Sequence, residues 1–243
     1  MCVYWISTSD SQPVTEFLLL ASLVAVGSPH TDTPSSTFPY PVSSADHCET
    51  PSIAYAHIAP YLHSLPTGAS TRVYDPYYCD GGVVSKLISL GFPNISHDKK
   101  DCYDVWSKGL EPGHDAFLTN PPYSSDHVEQ LMTHLCREGN DKPWFLLMPQ
   151  HYMKHSYYKR LIGSRRVFYV VPKKRYVYLP PTGFRDKKKS DTHKKSSPFV
   201  SMWFCWGGTE GVNERLLKVK GGEGVKVARS SSALRDLRRK GKK

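Results

Sequence analysis

The sequence predicts an α/β protein built on a mostly parallel sheet, and three observations predict it. From residue 46 onward, short apolar runs alternate with stretches of helical periodicity. Two of the runs, 115–119 (DAFLT) and 144–148 (WFLLM), are apolar almost throughout, as strands covered on both faces are. Turn residues then follow the strand ends, at Asp75-Pro76 and at Asn120-Pro121-Pro122, where open α/β sheets hold their ligands. With 243 residues at 39% hydrophobic and 22% charged, the chain can build one ordinary core, which excludes wholesale disorder.

The elements follow in order. Thr50-Pro51 starts a helix over 52–65, where Ile53, Ile58, Leu62 and Leu65 fall at helical spacing and Pro60 is a possible kink. A short strand over 71–74 ends at Asp75. Gly81-Gly82 opens a helix over 83–90, and 94–98 (NISHD) reads as a second strand. Asp101 is placed to cap a helix over 101–108. After strand 115–119 come a helix over 126–137, strand 144–148, and strands over 167–171 and 199–206. Only sixteen residues separate Asp98 from Asp115, which is tight for a helix, a further strand and a connection, so one sheet element is expected to be absent or minimal.

The ends of the chain read differently. Residues 17–26 (FLLLASLVAV) have the length of a signal-peptide core, but no Lys or Arg precedes them, so a buried or interface helix is the expectation. Residues 28–46 are rich in Pro, Ser and Thr and read as a linker. The expected organisation is a peripheral extension over 1–45, the main domain over 46–212, and a flexible basic tail over 213–243. Charge divides the chain as well: residues 1–153 carry 7 basic and 16 acidic side chains, residues 154–243 carry 25 and 6. A basic half beside an acidic one suggests a polyanionic partner. The six cysteines form no CxxC pair, so a reducing, intracellular compartment (nucleus, nucleolus, cytoplasm or an organelle) is expected, with no structural metal and no membrane insertion.

Chemistry concentrates at residues 115–124 (DAFLTNPPYS). An apolar strand ends in Asn120, Pro121, Pro122 and Tyr123. Two prolines stiffen the backbone and remove N–H groups where a ligand would sit. The Asn120 side-chain oxygen and the carbonyl that follows can together accept both hydrogens of a planar NH2 group, and the Tyr123 ring can stack on the system that bears it.

In this pattern the chain resembles the class I S-adenosylmethionine-dependent amino-methyltransferases, whose motif IV is NPPY. The resemblance extends upstream. Residues 72–82 (RVYDPYYCDGG) resemble the D-P-F-x-G-x-G turn, with Asp75, Pro76, Tyr77 and Gly81 matching and Cys79 in place of the first glycine. Thr50 and Pro51 match the F-x-T-P segment of adenine methyltransferases, with Cys48 at the aromatic position. Residues 171–183 and 196–207 resemble the closing antiparallel hairpin of phage-type enzymes. More narrowly, the chain is similar to a small set of eukaryotic proteins carrying DPYYCDG, NPPYS and KKRYVY runs. The resemblance covers about residues 46–210. It implies a Rossmann-like fold with a C-terminal antiparallel hairpin and S-adenosylmethionine as cofactor. It also implies cofactor contacts at Thr50, Pro51, Asp75, Pro76, Tyr77 and Gly81, and a ribose-binding acid after the second strand, for which Asp98 and Asp101 compete.

The substrate side is expected at Lys173, Lys174, Arg175 and Tyr176, where cations interleave with aromatics, and at Lys187–Lys189, Lys194 and Lys195 beyond. Nucleic acid, RNA ahead of DNA, is the expected acceptor, with methylation at adenine N6. A Gln or Asn side-chain amide, reached on an acidic protein or a ribosomal particle, is the second reading. A non-catalytic RNA-binding relative, prompted by Cys79, is the third.

Overall fold

The structure, a computed structural model, describes residues 39–42, 46, 48–178 and 200–240. All of them belong to one unit, Pro34–Lys243. The apolar run 17–26, most of the linker and the lysine-rich loop around 187–195 lie outside the described residues.

Seven strands form one sheet: β1 (Val73–Tyr74), β2 (Ile95–Ser96), β3 (Ala116–Thr119), β4 (Trp144–Pro149), β5 (Phe168–Pro172), β6 (Ser201–Trp206) and β7 (Val225–Ala228). Their order across the sheet is β2-β1-β3-β4-β6-β5-β7. The pairs β2·β1, β1·β3 and β3·β4 are parallel, and β4·β6, β6·β5 and β5·β7 are antiparallel. The sheet is therefore mixed, more so than the expected mostly parallel one, with its parallel half built first. Strands β1 to β5 all run the same way, so their carboxyl ends share one edge. This arrangement is compatible with a Rossmann-like fold. The C-terminal strands are antiparallel, with β6 inserted between β4 and β5, while residues 179–199 of the expected hairpin over 171–183 and 196–207 lie outside the described residues. Residues 108–115 carry the chain to β3 without a strand, which accounts for the short sequence interval there.

Alternating side chains of the strands feed two cores. On one face, Val73, Leu118, Phe145, Leu147, Val170 and Trp203 pack against α1 (Ser52–His63), α2 (Gly82–Ile88) and α6 (Glu210–Lys218). On the other, Tyr74, Phe117, Trp144, Leu146, Tyr169 and Phe204 pack against α3 (Cys102–Ser107), α4 (His127–Leu135), α5 (Ser156–Ile162) and α7 (Ser231–Lys240). The result is a three-layer α/β/α sandwich. Helix α1 runs through Pro60 to His63. Its Ala54 carbonyl accepts from Trp203 Nε1 at 3.0 Å and so ties the helix to the sheet.

Two boundaries are corrected. The expected flexible tail over 213–243 instead contributes much of α6, then β7 and α7. β7 pairs in register with β5 from Tyr169↔Ala228 to Pro172↔Val225, and Leu216, Ala228 and Leu234 are buried. The abundance of Lys and Arg hid an apolar residue every few positions, enough to seat a strand and two helices. Part of the expected peripheral extension also belongs to the domain, because Tyr40 is buried and donates to the Tyr78 carbonyl. Among the described residues, no helix is long and apolar enough to cross a membrane, and no cluster of three or more His, Cys, Asp or Glu is placed to hold a metal.

Candidate functional site

Three segments separated in sequence meet at the edge formed by the carboxyl ends of β1 and β3. They line one crevice, with Asp46 and Cys48 from the first, Tyr77, Tyr78 and Cys79 from the second, and Asn120 and Pro122 from the third. Tyr40 and Val42 complete the wall. The crevice is a shallow cleft open to solvent, with room at its floor for about two waters.

The turn after β1 is shaped by its glycines. Gly81 precedes α2 at φ +80°, a left-handed conformation that glycine adopts without strain. A Cβ on Gly82 would fall 2.4 Å from Glu49 Oε2. Glu49 is the buckle of this turn. Its carboxylate accepts from the amides of Asp80 at 3.0 Å and Gly82 at 3.4 Å and forms an ion pair with Lys86. Lys86 also donates to the Thr50 carbonyl at 2.8 Å. The pair joins the residues before α1 to the turn before α2. Burial, and next Glu49, push the Cys79 thiol up to about 12, so it stays protonated at neutral pH.

Asp75 lies beneath the crevice rather than in it. It is buried, accepts from the Thr119 hydroxyl and from the Tyr77 amide at 3.3 Å, and has His97 Nδ1 3.6 Å away. Burial raises its carboxyl above the ordinary 3.8, against the pull of His97 and of the two hydrogen bonds. The carboxylate thus ties the end of β1 to the end of β3. Pro76 and Tyr77 are also buried, and the Tyr77 hydroxyl meets that of Tyr103 at 3.1 Å. Tyr103 in turn is bonded to His127. Tyr40 fits edge-on against this aromatic group, 5.5 Å from Tyr77 and 6.2 Å from Tyr103, and donates to the Tyr78 carbonyl at 3.1 Å.

The turn after β3 is held from both sides. Asp46 accepts from the Tyr123 amide at 2.9 Å and the Ser124 amide at 3.4 Å. Tyr152 donates to the Tyr123 carbonyl at 2.9 Å. The Tyr123 hydroxyl lies in hydrogen-bond reach of both Asn120 Oδ1 and the Leu147 carbonyl, 2.9 Å from the latter. Burial raises the Tyr123 hydroxyl well above its ordinary value, so it stays protonated and can donate. One lone pair of Asn120 Oδ1 is thereby engaged, and a carbonyl-type oxygen has a second.

Of the residues singled out in the sequence, Tyr77, Asn120 and Pro122 line the crevice, and Gly81, Pro121 and Tyr123 shape its walls. Thr50 is buried and Pro51 starts α1, both one step back from the cavity. Asp98 and Asp101 do not line it. Asp101 caps α3 by accepting from the amides of Tyr103 and Asp104. Asp98 is exposed and pairs with Lys100. The residue immediately after β2 is His97, stacked on Tyr78 at 5.0 Å. Lys173, Lys174 and Arg175 are exposed at the carboxyl end of β5, but Tyr176 is corrected. It is buried, with its hydroxyl 2.9 Å from His57 Nδ1. Sequence reading missed Tyr40, Asp46 and Glu49. None of the three left a local signal in the sequence.

No protein-family model matches the chain, and no curated protein is similar enough in sequence to count as a relative.

Proposed function

We propose that the chain is an S-adenosylmethionine-dependent N-methyltransferase acting on an exocyclic amino group of nucleic acid, with adenine N6 of RNA as the acceptor. The observation that carries this reading is the convergence of Asp46 and Cys48, of Tyr77, Tyr78 and Cys79, and of Asn120 and Pro122 on one crevice at the carboxyl edge. The residues present fit the cofactor in kind. A glycine turn precedes a helix, tyrosine rings line the wall, and an amide acceptor stands at the far side. Bound S-adenosylmethionine would supply an electrophilic methyl group. Tyr77, Tyr78, Gly81 and the segment before α1 would hold it, with Tyr40 and Val42 beside it on the wall.

The chain's own part is positioning. The free lone pair of Asn120 Oδ1 and the Pro121 carbonyl would accept the two amino hydrogens and draw the nitrogen toward a tetrahedral shape. Its lone pair is then aimed along one line. The prolines keep competing N–H groups away. Asp46, Tyr152 and the Tyr123 hydroxyl fix the turn so that both acceptors are held before the acceptor molecule arrives. No strong base is required, because the amino proton leaves after the methyl group has been transferred.

The test is transfer of labelled methyl groups to RNA, DNA and protein fractions, followed by nucleoside analysis. Wild type should label RNA. Asn120→Ala should slow transfer by about 10²-fold or more, roughly 3 kcal/mol, while cofactor affinity stays unchanged. Label that resists nuclease and remains with protein would move the acceptor to a side-chain amide. Absence of cofactor binding would leave the non-catalytic reading.

A further inference from the structure

The edge that presents Asn120 needs a surface for the rest of its acceptor, and residues 173–178 supply cations without available rings. Rings reach the surface elsewhere on the same edge. The 3-10 helix Gln150–Lys154 leaves the end of β4 and leads into α5. Its Tyr152 is 6.2 Å from the Tyr123 ring, besides bonding the Tyr123 carbonyl. His151 stacks on Tyr152 at 4.7 Å and 27°, and Tyr152 stacks on His155 at 5.1 Å and 23°. His155 meets Tyr157 at 5.2 Å. His151 and His155 are exposed and Tyr157 is half-buried, so the series begins at the acceptor turn and ends in solvent. Lys154, Lys159 and Arg160 are exposed beside it. Partial desolvation on the Tyr152 side, then His155 and Lys154 nearby, lower His151 below the usual imidazole value.

We propose that residues 151–160 form a stacking track for the single-stranded nucleic acid flanking the methylated nucleotide, with His151 and His155 taking neighbouring bases and Lys154, Lys159 and Arg160 the phosphates. This rests on the reading of the acceptor as nucleic acid. Flat rings backed by a buried tyrosine offer faces to any base, and such contacts tolerate sequence. An acidic protein would use the cations but has no comparable use for the ring faces. In a duplex the same base faces are already stacked on one another, so a single strand or a loop is the form this track selects.

The experiment uses the full chain and a short fluorescent single-stranded RNA, with anisotropy as the readout over a salt series and methyl transfer measured on the same samples. The double variant His151→Ala/His155→Ala should lose about tenfold or more in affinity with its salt slope unchanged. The aromatic replacement His151→Phe/His155→Phe should restore most of it. Lys154→Ala/Lys159→Ala should instead flatten the salt slope by about 1 to 1.5. Unchanged RNA affinity in the Ala variant overturns the track, as does failure of the Phe variant to restore binding, or competition by poly-glutamate equal to that by RNA. RNA binding that depends on these rings in a protein that transfers no methyl would remove the catalytic reading and leave the track. Methyl transfer to RNA that ignores the ring variants would do the reverse.

Discussion

Between residues 173 and 178 three cations are followed by two tyrosines, and between 151 and 160 three cations alternate with two histidines and three tyrosines. In the first segment the chain bends at Lys173 and Lys174 as it leaves β5, and exposure alternates only from Arg175 to Tyr178. Lys173, Lys174 and Arg175 are exposed, while Tyr176 and Tyr178 are both buried with the exposed Val177 between them. Neighbours on an extended chain point to opposite sides. The tyrosines therefore go to the core, where the Tyr176 hydroxyl meets His57 Nδ1 and the Tyr178 hydroxyl is pushed up to about 12 by burial. In the second segment a 3-10 helix brings residues three apart onto one side, which is why Tyr152 and His155 stack. The same vocabulary of side chains thus yields a charged rim in one place and a ring surface in the other. Backbone period, rather than composition, makes the difference.

Substitutions in the two segments should have separable effects. Lys173→Ala/Lys174→Ala/Arg175→Ala should reduce the salt slope of single-stranded RNA binding by about 2, as three lost phosphate contacts would. A slope unchanged from wild type would remove the charged rim from the substrate surface. Tyr123→Phe keeps the ring from which the stacked series starts but loses the hydroxyl that bonds Asn120. Methyl transfer should slow about fivefold, the worth of one hydrogen bond, with RNA affinity intact. Full activity in that variant would mean that the ring alone matters. Tyr176→Phe should destabilise the fold by about 1 kcal/mol through loss of the His57 contact and leave RNA binding unchanged, measured by urea unfolding alongside anisotropy. Weaker RNA binding at equal stability would return Tyr176 to the surface.

A control lies away from both segments. Asp75 is buried with its carboxyl raised above 3.8, so its ionisation opposes folding as pH climbs through the folded value. Asp75→Asn keeps acceptors for Thr119 and Tyr77 without the charge. Its stability relative to wild type should therefore improve on going from below pH 4 to neutral pH, read as the difference in Tm. A difference that shrinks instead would show that the attraction of His97 outweighs burial.

Much of the core was legible from residue type alone. The apolar runs at 115–119 and 144–148 became β3 and β4, and the cap at Asp101 formed α3 as its position implied. The bonding of Asp46 and Glu49 to the turns after β3 and β1 was not legible, because nothing local in either residue tells which distant amides it will hold. The burial of Tyr40 was not legible, since a lone tyrosine in a Pro/Ser-rich stretch carries no period. β7 was hidden for a different reason. Val225 and Val227 alternate with Lys226 within a stretch so basic that net charge dominated the reading, while pairing with β5 is a long-range event.

That last strand makes charge and architecture inseparable at the carboxyl end of the chain. Cutting at residue 213 would remove 11 of the 25 cations in the second half, and with them the strand that covers β5. The N–H and C=O row of β5 that now faces β7 would be left bare, a template onto which another copy can add. The shortened protein should gather into oligomers that scatter light, and its loss of RNA binding would report self-association rather than missing phosphate contacts. The contribution of these cations is therefore measurable only one residue at a time, at solvent-facing positions such as Lys226 or Arg235, where the strand and helix remain in place.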